Sequence, residues 1–238
     1  MKKIKLFSLF IAAALSFTTV KAQTADEIVN KHLEAMGGIE KLKTISTIVM
    51  DGSLNLMGND VPLKIYLKHN FGFRQEIEFM GMKNYFLFRK DSAWTFIPAQ
   101  GQQKPEPLPQ EAVQKASNTL DAQGELVDYK AKGHSIELLG KEDVDGTECF
   151  KIKVKYKNAE EATLYIDAKT FFLVQKYEKA NVNGQETEAV TKYSNYTKHS
   201  SGLMFAMTME GGALPGAINF TKVELNTVLA DAFFNPGN

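Results

Sequence analysis

The sequence predicts a mainly β fold with a few helices (α+β), built on one antiparallel sheet so wide that it must curl or close. Three observations carry this. From Ile45 onward apolar residues recur at every second position, the period of strands with one buried face. The connections at Gly58-Asn59-Asp60, at Asn70 to Gly72 and at Gly81 are too short for a helical crossover, so neighbouring strands run antiparallel. About twelve such runs follow one another without a repeat of fixed period, and a sheet of that width does not stay open and flat.

The chain opens on a different pattern. Lys2, Lys3 and Lys5 precede an apolar run from Leu6 to Val20, and Val20 and Ala22 supply the small residues that a signal peptidase selects, so residues 1–22 read as a cleavable signal peptide. The run falls short of the roughly 20 apolar residues a membrane span needs. Gln23, not the cysteine of a lipid anchor, follows the expected cut, so the product is expected to be exported, soluble and not membrane-anchored. Residues 23–238 read as a single domain, and Cys149, the one cysteine, can form no internal disulfide. Without the signal, 24 basic residues face 28 acidic ones, a net charge of −4. Mild acidity without a basic cluster argues against nucleic acid as a partner.

Thr24 and Glu27 have capping-box spacing, and Ile28, Val29, His32, Leu33 and Met36 form one apolar stripe, which predicts a helix ending at Gly37-Gly38. A short helical turn over 39–42 precedes the strands. Ile48, Met50, Leu54 and Leu56 alternate with polar partners, as do Val61, Leu63, Ile65 and Leu67, then Phe71, Phe73, Ile77 and Phe79; strands over 84–89 and 93–97 follow. Between Pro98 and Gln123 the alternation stops. Four of the seven prolines (98, 105, 107, 109) lie here, which predicts an extended polar loop, then a helix of about a dozen residues with a narrow stripe of Val113, Ala116 and Leu120. Residues 98–123 are therefore a candidate lid over the mouth of the sheet. Strands resume over 136–139, 150–156, 163–167, 172–179, 186–196, 203–209 and 218–225, with hairpin signals at Asp145-Gly146, Asn183-Gly184 and Gly211-Gly212.

Nothing in the residue pattern marks an enzyme. G-x-S-x-G, phosphate-loop and dinucleotide fingerprints are absent, and the scattered carboxylates show no acid–base pair. His32, His69, His134 and His199 stand alone without the close pairs that hold zinc, and Cys149 reads as partly exposed, with nothing nearby to lower its pKa. No catalytic residue, metal ligand or cofactor is expected. Lys151, Lys153, Lys155 and Lys157 alternate with apolar residues and read as a solvated strand face. Sixteen Phe and nine Met are more informative, because soft methionines beside strands suit an apolar cavity that accepts ligands of varying shape.

The stretches TADEIVNKHLEAMGGIEKLKTI (24–45), FGFRQEIEF (71–79), WTFIP (94–98), LYIDAKTFFLVQKYE (164–178) and KVELNTVLADAFFNP (222–236) together resemble the LolA-like carriers, the outer-membrane lipoprotein-sorting family. The resemblance covers nearly the whole chain after residue 22. It implies a strongly curved antiparallel sheet forming an incomplete barrel, its concave side covered by helices, in a monomer of the periplasm. The implied function is to carry acyl chains of lipoproteins or other lipids from an inner-membrane donor complex to an outer-membrane acceptor. The implied lid-holding arginine is replaced here by His69, with Arg74 displaced from that point; both are candidates for lid control, His69 through a weaker, pH-dependent bond. Alternation assigns the ligand-facing side to Met50, Leu54, Leu63, Ile65, Phe73, Ile77, Phe79, Phe86, Phe88, Met207 and Met209, and a one-residue slip would invert any strand's list. The alternative reading is a periplasmic sensing or scaffold module that binds a lipid or protein partner with the same half-barrel and transports nothing.

Overall fold

Thr24 caps the first helix, α1 (Ala25–Ala35): its hydroxyl accepts from the Glu27 N–H, and the Glu27 carboxylate accepts from the Thr24 N–H. This computed structural model describes residues 23–56, 58–182, 185–212 and 216–237; the expected signal peptide and the Asn183-Gly184 hairpin signal lie outside the described residues. A second short helix, α2 (Ile39–Lys43), follows at once. Between the two, Gly37 has φ 112°, and a Cβ there would sit 2.6 Å from the Gly202 carbonyl oxygen. Only glycine lets the end of α1 approach that turn so closely.

The strands are β1 (Thr47–Leu56), β2 (Asn59–Lys68), β3 (Gly72–Phe79), β4 (Met82–Arg89), β5 (Ala93–Phe96), β6 (Glu106–Pro107), β7 (Ser135–Val144), β8 (Thr147–Lys155), β9 (Glu161–Asp167), β10 (Leu173–Val182), β11 (Gln185–Lys198), β12 (Met204–Gly211) and β13 (Ala217–Leu225). They form one antiparallel sheet in the order β6-β5-β4-β3-β2-β1-β13-β12-β11-β10-β9-β8-β7. Two meanders are thus joined where the first strand pairs with the last. Asn226 fastens that seam: at φ 58° its side chain accepts from the Ser46 N–H at 2.8 Å, and its own N–H donates to the Thr47 carbonyl. The strand missed by alternation is β6, two residues inside the polar loop that pair with Trp94 and Thr95. The edges β6 and β7 do not pair with each other, so the sheet is a curved, incomplete barrel.

Residues 108–134 run from one edge to the other. The predicted dozen-residue helix is here a seven-residue helix, α3 (Gln110–Ala116), followed by a 3-10 turn over Ser117–Leu120. Ser117 explains the change, because its hydroxyl donates to the Gln114 carbonyl and competes for the backbone. The rest of the stretch, 121–134, is turns.

The largest core lies on the concave face, where Ile28, Val29 and Leu33 of α1 and Leu126 and Val127 pack on Phe150, Ile152, Val154, Leu164 and Ile166 of β8 and β9. It continues along that face as a second cluster of Leu54, Val61, Leu63, Ile77, Ile218 and Phe220. The opposite face of β2–β5 is covered by the C-terminal tail, whose 3-10 turn (Asp231–Phe234) buries Phe234 completely against Tyr85 and Leu87. Cys149 corrects the sequence expectation: it is fully buried, and burial pushes its thiol up to about 11. No helix among the described residues is long and apolar enough to cross a membrane.

Candidate functional site: an apolar cavity beneath the first helix

Residues of β1, β10, β11 and β12 face the helices without filling the space between them. A cavity of about 310 Å³ remains, at the lower end of the range for ligand pockets. Its walls are Leu33 from α1 and Met36 at its C-terminal cap, Leu42 from α2, Met50 from β1, Leu67 from β2, Tyr193 from β11, Phe205, Ala206 and Met209 from β12, and the 121–126 segment. Four of the nine methionines, Met36, Met50, Met204 and Met209, meet here. Such a lining adapts its shape at little cost, because methionine is unbranched and polarizable.

One polar cluster bounds this apolar space. Glu125, from the irregular segment, accepts hydrogen bonds from Lys176 of β10 at 3.0 Å and from the Tyr156 hydroxyl, and Lys176 also lies 2.9 Å from Glu178. Burial alone would raise the Glu125 carboxyl, but Lys176 and the Tyr156 bond outweigh it and hold the group below the ordinary value. Lys176 is raised well above its usual value, since Glu125 more than offsets the desolvation of the ammonium. The pair is charged and mutually satisfied. Beside it, burial pushes Tyr193 up to about 12, so it stays a neutral phenol. His32 bonds through Nδ1 to the Phe171 carbonyl at 2.8 Å, so Nδ1 carries the proton and Nε2 is the acceptor of the neutral ring. Burial lowers its pKa despite that carbonyl and Glu125.

Of the residues assigned by alternation, Met50 and Met209 line the cavity. Leu54, Leu63 and Ile77 are buried in the neighbouring cluster, with Ile65 and Met207 packed against it, so that part of the face is closed by its own side chains. Phe73 and Phe88 form a tilted ring pair across β3 and β4, and Phe86 shares their face by register with Gln75; none of the three lines the cavity. Phe79 ends β3 and is 40% exposed. Residues of α1, α2, the 121–126 segment and β10–β12 complete the lining; α1's apolar stripe was the available signal, whereas docking of the irregular segment leaves none.

His69 and Arg74 separate in space. His69 stands at the end of the insert, its Nδ1 3.4 Å from Asp121 without hydrogen-bond geometry, and its pKa is lowered by burial and by Lys132 against the pull of Asp121. Around it the insert is held by the Asn70 N–H donating to the Leu120 carbonyl (2.7 Å), by Asn158 Nδ2 donating to the Gln114 carbonyl and to Ser117 Oγ (3.1 Å each), and by Lys132 paired with Asp121. Arg74 points to the other face. It is buried under the C-terminal tail between the Tyr85 and Phe233 rings, donating to Glu76 at 2.8 Å and to the Phe233 carbonyl at 3.1 Å. Arg74 therefore holds the tail, and its hydrogen bonds and ring contacts go to Glu76, Tyr85 and Phe233.

No protein-family model matches the sequence, and no curated protein matches it. The fold is nevertheless shared with solved structures. A LolA superfamily protein from Nitrosomonas europaea is 16% identical with a TM-score of 0.55, over 90% of this chain and 98% of the other. A DUF1329 family protein from Desulfovibrio piger is 14% identical with a TM-score of 0.55 over the same shares, 90% and 98%. A domain from Vibrio parahaemolyticus, provisionally assigned as an outer membrane lipoprotein-sorting protein, is 14% identical with a TM-score of 0.52, over 88% and 95%. The LolA-like half-barrel is thus the fold of this chain, at identities that speak for the fold alone.

Proposed function

We propose that this protein is an exported, soluble carrier of the periplasm that takes up acyl chains of lipoproteins or related lipids beneath α1 and passes them toward the outer membrane, catalysing no reaction. The observation that carries this is the methionine-lined cavity of about 310 Å³ between the helices and the concave sheet. Water gains little from such a space. An acyl chain gains about 0.8 kcal/mol for each methylene it buries, which suits loading from one membrane and unloading at the next. The fold shared with a lipoprotein-sorting domain is consistent with that cargo. In this reading an inner-membrane donor loads the protein and an outer-membrane acceptor empties it.

The test is to express residues 23–238, extract with organic solvent and search for bound lipid by mass spectrometry, then titrate with a fluorescent fatty acid. Uptake is expected, and Ala206→Phe, which fills the cavity from β12, should abolish it. A protein that yields no lipid and takes up no probe would refute the carrier. Release of labelled lipoprotein from spheroplasts into the soluble fraction separates carriage from a scaffold role, since a scaffold releases none.

A further inference from the structure

Beside the apolar cavity lies a second, polar one of about 680 Å³, at the open side of the sheet where the end of the insert faces the β8–β9 turn. The two cavities share Asp121 and Glu125 in their linings. Both carboxylates are already neutralised, Asp121 by Lys132 and Glu125 by Lys176. Two further cations line the polar cavity, Lys90 after β4 and Lys157 in the β8–β9 turn, and neither has an ion-pair partner among the described residues. The three lysines of the lining, Lys90, Lys132 and Lys157, exceed its two carboxylates by one positive charge, and Lys90 and Lys157 are the two left unpaired among the described residues.

His134 adds a donor. Its Nδ1 accepts from the Lys157 N–H at 3.1 Å, which leaves Nε2 to carry the proton of the neutral ring. Burial and Lys132 lower the pKa of the ring, against the pull of Asp121 and Glu125. An apolar chain-sized space sharing a wall with a cationic, hydrogen-bonding space matches a molecule with a tail and an anionic head. The tail space is small, which favours a single chain over two.

Resting on the carrier reading above, we infer that the preferred ligand is a single-chain amphiphile with an anionic head, whose tail occupies the cavity beneath α1 and whose head is held by Lys90, Lys157 and His134. Residues 23–238 are titrated calorimetrically with dodecyl phosphate, with dodecyl maltoside and with inorganic phosphate. Dodecyl phosphate is expected to bind at least tenfold tighter than the maltoside, and the advantage should shrink as salt rises. The double variant Lys90→Gln/Lys157→Gln should remove most of that advantage while leaving maltoside binding unchanged. By NMR, the His134 pKa should rise when dodecyl phosphate binds.

Equal affinity for the two amphiphiles, or a double variant with the wild-type preference, overturns the inference and leaves the carrier reading standing. Failure of both amphiphiles to bind overturns both. Inorganic phosphate binding as tightly as dodecyl phosphate would show an anion site independent of the tail and would equally overturn the inference.

Discussion

Lys176 and Glu125 show how much one side chain can depend on another 51 positions away. Their side chains are 16% and 18% exposed, so each ion has lost most of its hydration and relies on its partner. Lys176→Met leaves the Glu125 carboxylate beside an apolar cavity, and should lower stability at neutral pH by about 3 kcal/mol in urea unfolding. Adding Glu125→Gln should restore much of the loss, because the uncompensated charge goes too. The histidines make a separate prediction. His32, His69 and His134 all have lowered pKa values, chiefly through burial, so in each case the unfolded chain takes up a proton first. Their contribution is complete above the ordinary value of about 6.5 and is lost as pH falls through the folded values. Lowered carboxylates such as Glu125 and Asp167 lose theirs only at more acid pH. The urea midpoint should therefore fall between pH 7 and pH 5, less steeply in His32→Gln, and a midpoint flat over that interval would contradict this account.

At the scale of elements, alternation made the strands legible, because a sheet buried on one face writes its period of two into the sequence. The half-barrel's first five strands and the meander from β7 to β13 follow from that period and from short turns. The cavity was legible in part. Met50 and Met209 could be assigned from their strands, but His32, Leu33 and Met36 become walls only because α1 docks on β8 and β9; the apolar stripe shows that the helix docks, not where. Glu125 sits in turns, where a carboxylate reads as solvated, and Lys176 sits among polar strand residues. The C-terminal tail was legible only as a motif. Its role is to cover the outer face of β2–β5, with Phe234 fully buried and set against Gly72, where a Cβ would lie 2.6 Å from the ring. Phe234→Ala opens a cavity under a tail that Lys68, Arg74 and Arg89 also hold, and should cost about 3–5 kcal/mol by denaturant unfolding while leaving the cavity beneath α1 intact.

The whole molecule is a sheet whose two edges never meet, bridged by one stretch of chain that also roofs the concave side. Any ligand entering beneath α1 must pass the helices or that bridge. The second half of the bridge, residues 121–134, is anchored in the main core, whereas the first half, residues 108–120, is held by a few polar contacts, with Asn158 binding Gln114 and Ser117 and with Leu120 bound to Asn70, and by the buried Val113 and Leu120. Hydrogen bonds of this kind contribute about 1 kcal/mol each, which a loading event can exchange for buried methylenes. The sheet, by contrast, is joined across every neighbouring pair of strands, although β12 and β13 pair only over Thr208–Glu210 and Ala217–Asn219. Displacement of the first half of the bridge gives up only such bonds and two buried side chains, and this route can be blocked covalently. Ser117→Cys with Asn158→Cys places two thiols where the hydroxyl and amide now meet at 3.1 Å. Oxidation of this pair should slow uptake of a fluorescent fatty acid at least tenfold, and reduction should restore it, with Cys149 taking no part because it is buried. If the oxidised protein loads as fast as the reduced one, the bridge is a fixed wall and the ligand enters past α1.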